Sequence, residues 1–303
     1  MRISLFIHST TGNTETVARY TAGWLKKRGH TVITQDLITV PSCPDLRITD
    51  LLILASPTMY FRPTIVMERF VSSLPVLPKG EIKPAFLLGT CAGEPGDNFT
   101  ALARILEPKG WKTVGAHWVP CPSNYPTHLA AVRFFQSTSW LRSYIENRSK
   151  ALQPLLWTLW PNVDPDEGDR EELESALRGL CHILMFHSIL DDHFRPMEKH
   201  AGSRVCSFLG KSLPVGCFDK MVGIAIDEDR CDKCDICVEN CPSGVLSSRS
   251  PELIPQVGTG CTGCFACYNL CPNHAISAVA TPQGKGVYRG PSENMKKLFA
   301  PPS

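Results

Sequence analysis

The sequence contains no run of residues long and apolar enough to cross a lipid bilayer as a helix. Residues 179–190 form the longest nearly apolar stretch; they fall short of the about 20 residues that a span requires, and they include two histidines. The opening residues lead directly into a hydroxyl-rich loop, which leaves no room for a signal peptide. We therefore expect a cytoplasmic protein without a membrane span.

Several fingerprints of common sites are also missing. No Gly-x-Gly-x-x-Gly opens a helix after a strand, so direct oxidation of a pyridine nucleotide is not expected. No basic run is interleaved with aromatic residues, which argues against nucleic acid as a partner. Histidines 182, 187, 193 and 200 accompany two aspartates, but no two of the histidines have the i,i+4 spacing of the H-E-x-x-H zinc motif.

Cysteine, by contrast, is plentiful: the chain has 14, and eight of them form two copies of one spacing. Each copy reads C-x2-C-x2-C-x3-C-P, which is the spacing of a two-cluster bacterial ferredoxin. In such sites the fourth cysteine of each run usually ligates the other cluster. The sequence thus predicts one [4Fe–4S] cluster on Cys231, Cys234, Cys237 and Cys271, and a second on Cys261, Cys264, Cys267 and Cys241.

Two structural zinc ions or a disulfide framework are the alternative interpretations of these cysteines. Zinc sites tend to show two C-x2-C pairs set well apart, rather than three cysteines at steps of three and a fourth before proline. The six further cysteines show no sign of a disulfide scaffold, which is typical of a reducing cytoplasm. Because this region has so little core, we expect it not to fold without its clusters.

The N-terminal end of the chain carries a second candidate site. Residues 1–7 form an apolar, β-branched run that predicts a buried strand, and a hydroxyl-rich segment then leads into an amphipathic stretch. A turn at a helix N-terminus offers backbone N–H groups and a favourable dipole to an anion. The segment has no lysine, so a monophosphate fits better than a nucleoside triphosphate. The alternative is a Ser/Thr-rich N-cap that binds nothing.

Strand-like and helical segments alternate over the first 120 residues. The predicted strands are residues 30–37, 50–56, 83–90 and 112–119, and the predicted helices are residues 14–28, 63–73 and 97–109. That alternation favours an α/β doubly wound parallel sheet, in which ligands bind at the carboxyl ends of the strands.

The hydroxyl-rich segment, Ser9-Thr10-Thr11-Gly12-Asn13-Thr14-Glu15, resembles the phosphate-binding loop of flavodoxins at every position. The resemblance implies a flavodoxin-like fold with FMN as the cofactor. It also implies that the loops after two later strands hold the isoalloxazine ring, with Tyr60 and Phe61 as candidates for stacking on it. The implied FMN-binding residues are Ser9, Thr10, Thr11, Gly12, Asn13, Thr14, Pro57, Thr58, Met59, Tyr60, Phe61, Thr90, Cys91, Ala92 and Gly93.

The two ends together resemble the flavodoxin–ferredoxin fusion proteins of anaerobic microbes. We expect a flavodoxin-like FMN domain at residues 1–122, a mostly helical connector at 123–221, a small α+β ferredoxin domain at 222–282 and a tail at 283–303. Within the connector, Asp164 as a cap and Pro165 at the first helical position predict a helix start. Five residues from Leu173 to His187 then fall on one face of that helix.

The net charge of +2 conceals an uneven distribution. Residues 1–150 contain 17 basic and 10 acidic residues, whereas residues 227–280 contain three basic and seven acidic ones before any charge of the clusters. Opposite charges predict attraction between the flavin half and the cluster half, within one chain or between two copies in a homodimer. The alternative is solvated charge without a steering role.

A flavin exchanges electrons singly or in pairs and a [4Fe–4S] cluster passes one, so the combination suits conversion between two-electron and one-electron traffic. The predicted function is an electron-transfer flavo-iron–sulfur protein that passes low-potential electrons to or from an unidentified redox partner protein. No side chain is predicted to be catalytic. One alternative is an FMN-dependent reductase of a small molecule, roofed by Tyr60, Phe61 and an aromatic helix around residues 134–144. Another is a redox sensor whose clusters control docking.

Overall fold

The computed structural model describes residues 1–38, 45–126, 164–186, 222–250, 252–279, 281, 283–284 and 286–302. Of these, the residues up to 121, those from 164 to 186 and those from 291 onward belong to one compact unit. The described residues from 122 to 126 and from 222 to 290 belong to a second unit. The aromatic helix predicted around residues 134–144 and the histidines at positions 187, 193 and 200 lie outside the described residues.

The first unit is built on a six-stranded sheet. Its strands are β1 (Arg2–Ile7), β2 (Thr31–Asp36), β3 (Leu51–Met59), β4 (Arg62–Pro63), β5 (Lys83–Cys91) and β6 (Trp111–Pro120). Five of them run parallel in the order β2-β1-β3-β5-β6, and β4 pairs antiparallel with the end of β3. This is the strand order of the flavodoxin-like doubly wound fold, and it confirms the predicted fold class.

Helices pack on both faces of the sheet. Three lie where the sequence predicts them: α1 (Asn13–Lys26), α2 (Ile65–Ser73) and α3 (Asn98–Leu106), the last continued by a 3-10 turn, Glu107–Lys109. Because alternate residues of a strand point to opposite faces, Leu5 and Ile7 of β1 join one apolar core and Phe6 joins the other. The first core includes residues of α1, and the second includes residues of α2 and α3.

Helix α4 (Glu167–Phe186) packs in the core that also contains α1. Leu173, Leu177 and Leu180 are buried there, as the helical spacing predicts. The predicted start is wrong by two residues, because Asp166 and not Asp164 caps the helix. The backbone N–H of Asp166 donates to Asp169 Oδ2 at 2.9 Å, and that of Asp169 donates to Asp166 Oδ1 at 3.1 Å. This reciprocal pair satisfies two donors at the helix start and leaves Pro165 outside it.

The end of the described chain also belongs to the first unit. Helix α7 (Glu293–Leu298) begins after Ser292, whose side chain accepts a hydrogen bond from Met295 N at 3.0 Å. Met295, Leu298 and Phe299 are buried in the core that contains α1. The Phe299 ring meets the Tyr20 ring edge-on, with centroids 5.4 Å apart. Residues expected to form a tail thus contribute to the core of the N-terminal unit, and the exact domain boundaries stay a prediction.

The second unit has short elements in its described part. Strand β7 (Ala225–Ile226) pairs antiparallel with β10 (Ile276–Ser277), and β8 (Leu246–Ser247) pairs antiparallel with β9 (Gln256–Val257). Two helices, α5 (Ile236–Glu239) and α6 (Ala266–Leu270), lie inside the two cysteine runs. A small apolar cluster of Leu246, Phe265, Tyr268 and Ile276 holds these elements together. The predicted small α+β domain is confirmed.

Among the residues that the structure describes, no helix has both the length and the apolar character needed to span a membrane.

Candidate functional site

Two cavities of the second unit are lined by cysteines. One is bordered by Cys261, Cys264 and Cys267 of the second run and by Cys241, the fourth cysteine of the first run. The other is bordered by Cys231, Cys234, Cys237 and Cys271. The fold therefore brings three cysteines of each run together with the fourth cysteine of the other run.

Both runs follow the same backbone path. Each run has a positive φ, between 53° and 65°, at the second, fourth and thirteenth residues after its first cysteine: Lys233, Asp235 and Gly244 in the first run, and Gly263, Phe265 and His274 in the second. Four of these six residues are not glycine, and each of those four bears a strain of roughly 1–2 kcal/mol. Such strain persists only where the surroundings fix the conformation, and it clusters at functional sites.

The strained turns direct backbone N–H groups toward sulfur atoms. The N–H of Gly263 donates to Cys261 Sγ at 3.5 Å, and that of Ala275 donates to Cys271 Sγ at 3.3 Å. Hydrogen bonds to cysteine sulfur help to set the reduction potential of an iron–sulfur cluster. The turns therefore position the cysteine sulfurs that could bind a cluster and the N–H groups that would tune its reduction potential.

The two cavities differ in their exposure to solvent. Cys264 and Cys267 are each 8% exposed, whereas Cys234 of the other group lies at the surface. Burial raises the pKa of the Cys237 and Cys264 thiols to about 11, and the neighbouring cysteines of each group add to the shift. Without a metal these thiols are protonated at neutral pH, so metal binding must displace protons.

Each cysteine group offers four thiols, which could hold an iron–sulfur cluster or a structural zinc ion. A zinc ion requires four ligands that converge within about 2.3 Å of one point. The spacing of the cysteines, which is that of two-cluster ferredoxins, favours the iron–sulfur cluster. The described cysteines are also free thiols, which leaves no disulfide framework among them.

The predicted phosphate loop follows β1 and opens α1. Gly12 stands at the N-cap of α1 with φ 98°, and no side chain caps the helix. The N–H of Gly12 donates to Ser9 Oγ at 3.1 Å, which folds the loop back on itself. Helix α2, by comparison, is capped by the Thr64 side chain. An uncapped helix start behind a tight glycine turn is the geometry that accepts a phosphate.

Side-chain and backbone hydrogen bonds bring the three predicted flavin loops together at the carboxyl edge of the sheet. Thr14 Oγ1 lies 2.8 Å from Thr90 Oγ1, which joins the first loop to the third. Asn98 Nδ2 donates to Thr58 Oγ1 at 2.7 Å, which joins α3 to the second loop. Sequence reasoning did not identify Asn98 as part of this edge. Its place at the start of the helix after the third loop is the signal that could have identified it.

Tyr60 and Phe61 form the two-residue turn between β3 and β4. Both have positive φ, 51° and 61°, as a type I′ hairpin turn requires. The Phe61 carbonyl accepts a hydrogen bond from Asp97 N at 2.7 Å. A Cβ at Gly96 would lie 2.5 Å from the same carbonyl, so only glycine fits there. The two half-buried aromatic rings are thus presented on a strained turn held by the third loop.

The remaining predicted residues of the third loop, Cys91, Ala92 and Gly93, are buried or half-buried. The Cys91 thiol donates to the Gly93 carbonyl at 3.0 Å and is buried. Burial raises the pKa of this thiol far above its usual value, so it stays neutral and is a poor nucleophile. Ala92 and Gly93 are half-buried, and Met59 of the second loop is buried.

Comparison with known proteins identifies the family to which the second unit is similar. Residues 230–276 match the family model of the 4Fe-4S dicluster domain. A ferredoxin of Methanothermococcus thermolithotrophicus is 32% identical over 56 residues, which are 18% of this chain and 93% of that protein.

Solved structures similar to the first unit include two flavodoxins. The flavodoxin of Megasphaera elsdenii is 25% identical and has a TM-score of 0.33, with 39% of this chain and 85% of that chain covered. The flavodoxin of Streptococcus pneumonia TIGR4 is 22% identical and has a TM-score of 0.33, with 39% and 84% covered. Through its cysteine runs the chain belongs to the 4Fe–4S dicluster ferredoxins, and the strand order of its first unit is that of the flavodoxin-like fold.

Proposed function

We propose that this chain is an electron-transfer flavo-iron–sulfur protein. Its first unit holds FMN, its second unit holds two [4Fe–4S] clusters, and it exchanges low-potential electrons with a redox partner protein in a reducing compartment. The main support is the pair of cavities in which three cysteines of one run meet the fourth cysteine of the other. This crossed grouping is the arrangement of two-cluster ferredoxins.

The cysteines divide into two ligand sets in this proposal. Cys231, Cys234, Cys237 and Cys271 hold the first cluster, and Cys261, Cys264, Cys267 and Cys241 hold the second. Because Cys234 is exposed while Cys264 and Cys267 are buried, a partner protein has easier access to the first cluster. The cofactors supply the one- and two-electron chemistry, and the side chains orient them and exclude water.

The FMN assignment depends on the edge at which the three loops meet. Ser9, Thr10, Thr11, Gly12, Asn13 and Thr14 surround the uncapped start of α1 and would bind the phosphate. Pro57, Thr58, Met59, Tyr60 and Phe61 would border the ring from one side, and Thr90, Cys91, Ala92 and Gly93 from the other. The absence of lysine and arginine from the first loop fits a monophosphate held by N–H and hydroxyl groups.

Anaerobic reconstitution of the full chain tests this proposal. We expect about eight iron atoms per chain and one bound flavin. The Cys234→Ser variant should lose about half of the iron and keep the flavin, because its site lies in the other unit. Stoichiometric zinc in place of iron, or no flavin absorbance in protein that holds full iron, would overturn the assignment.

The alternative of a small-molecule reductase stays a prediction, since the aromatic helix expected to roof its pocket lies outside the described residues. A steady-state screen with a reduced viologen as donor separates the two functions. Turnover of a small acceptor would favour the reductase, whereas reduction of protein acceptors alone would favour the carrier.

A further inference from the structure

Asn269 is a buried polar residue inside the second cysteine run. It lies in α6, two residues after Cys267 and two before Cys271, and only 1% of its surface is exposed. Since Cys267 and Cys271 belong to different cysteine groups, the Asn269 backbone connects the two proposed clusters. A buried amide at this point needs partners for both its donor and its acceptor atoms.

Those partners come from two segments outside the cysteine runs. Asn269 Nδ2 donates to the Asn124 carbonyl at 2.9 Å, and its Oδ1 accepts from Tyr288 N at 2.8 Å. The Arg289 guanidinium donates to the Asn269 carbonyl at 3.4 Å and also contacts His274 Nε2 at 3.1 Å. Asn269 therefore ties a segment before the runs and a segment after them to the helix between the clusters.

Asn124 extends this network to a proposed ligand. This residue is 8% exposed, and its Nδ2 donates to the carbonyl of Cys264 at 3.0 Å. The adjacent Tyr125 ring packs edge-on against Phe265, with centroids 5.3 Å apart. The two residues thus cover the Cys264 turn with one polar and one aromatic contact.

The first cysteine run provides an internal comparison. The position equivalent to Asn269, two residues after the third cysteine, is Glu239, and it is exposed. The residue after it, Asn240, donates locally to the Ile236 carbonyl at 2.9 Å. Because the two runs share one backbone path, the buried amide at 269 is not required by the cluster loop itself. Of the two runs, only the second has a buried amide at this position.

We infer that Asn124 and Asn269 form a two-amide clamp that fixes the second cysteine run and keeps water from the cluster it holds. Both are positioning residues, since they act through the Cys264 carbonyl and the α6 backbone. The inference rests on the proposed function, in that it presumes two clusters. Solvent stabilises the more negative reduced state, so exclusion of water keeps the potential of the second cluster low.

The test compares Asn124→Ala and Asn269→Ala with Glu239→Ala in the full, reconstituted chain. Anaerobic redox titration followed by EPR gives the potential of each cluster, and the step lost in Cys264→Ser identifies the second one. We expect Asn124→Ala to raise the potential of the second cluster only. We also expect a chelator to remove iron from this cluster on the order of tenfold faster, because the variant lacks one buried hydrogen bond. Glu239→Ala should change neither property.

The outcomes separate this inference from the proposed function. Wild-type protein without two cluster signals would refute the proposed function. Two normal signals that Asn124→Ala leaves unchanged, in potential and in iron release, would refute the clamp alone. Loss of both clusters in Asn124→Ala would also refute it, since the effect would then not be confined to the second run. If Asn269→Ala does not fold, the Asn124→Ala variant still tests the clamp. Retention of the first cluster and loss of the second in Asn124→Ala would support it.

Discussion

Pro291 packs against Gly12, although nearly the whole chain separates them. A Cβ built on Gly12 would lie 2.9 Å from Pro291 Cδ, and Gly12 has φ 98° at the uncapped start of α1. Pro291 directly follows the last residue of the second unit and begins the segment that returns to the first. The returning segment thus packs on the proposed phosphate loop within the first unit.

Gly12→Ala should weaken FMN binding about tenfold or more. Alanine at this positive φ would add a backbone strain of roughly 1–2 kcal/mol, and its methyl group would also clash with Pro291. Gly29→Ala is the matched control, because Gly29 also has a positive φ (83°) but nothing lies within 4 Å of its Cβ position. Fluorescence titration of FMN measures the effect, and equal affinities in both variants would show that the Gly12 contact is unimportant.

Phe299→Ala should destabilise the N-terminal unit by about 3–5 kcal/mol. Phe299 is 1% exposed and meets Tyr20 of α1, so its removal leaves a cavity in the core. Urea unfolding followed by tryptophan fluorescence measures the change. Val76→Ala, at a residue that is 67% exposed, should shift stability by less than about 0.5 kcal/mol. A small effect of Phe299→Ala would mean that the end of the chain is only loosely attached.

The crossed grouping of cysteines predicts which pairs of substitutions act together. Cys241→Ser should damage the cluster held by Cys261, although Cys241 belongs to the other run. The double variant Cys241→Ser/Cys261→Ser should therefore lose no more iron than either single variant, because all three remove one cluster.

Cys241→Ser combined with Cys231→Ser serves as the contrast, and it should remove both clusters. Iron analysis together with EPR distinguishes these cases. The reverse pattern, in which substitutions within one run fail to add, would contradict crossed ligation.

Acid should destabilise the first unit through His8. This side chain is fully buried with neither ring nitrogen hydrogen-bonded, and burial lowers its pKa from 6.5 to about 4. Below pH 6.5 the unfolded chain binds a proton that the folded chain refuses until about pH 4. Stability is therefore lost as the pH falls through this window, by about 3 kcal/mol in total.

His8→Phe should reduce this pH dependence between pH 6.5 and 4, and the part that remains includes the contribution of His117, whose pKa burial also lowers to about 4. Urea midpoints at pH 7 and pH 5 provide the comparison, and an equal pH effect in His8→Phe and wild type would exclude His8 as the cause.

The local elements were predictable because their signals are local. The apolar runs and the loop Ser9–Thr14 predict a strand, a turn and a helix, and β1 and α1 agree within two residues. The paired spacing of the cysteines predicts two equivalent turns, and both occur with the same pattern of positive φ. The cap of α4 was misplaced because three acidic residues near Pro165 compete for the role, and only the bonds between Asp166 and Asp169 decide it.

By itself, the sequence determined the chemistry: eight thiols at a spacing that suits iron, a hydroxyl-rich turn that suits a phosphate, and the alternation that yields a parallel sheet. Only the tertiary structure decided that Asn124 contacts Cys264, that α4 joins the first core and that Pro291 meets Gly12. The physical reason is that spacing and periodicity act over a few residues. Contacts between distant segments instead follow from which apolar faces and buried polar groups find partners when the chain collapses.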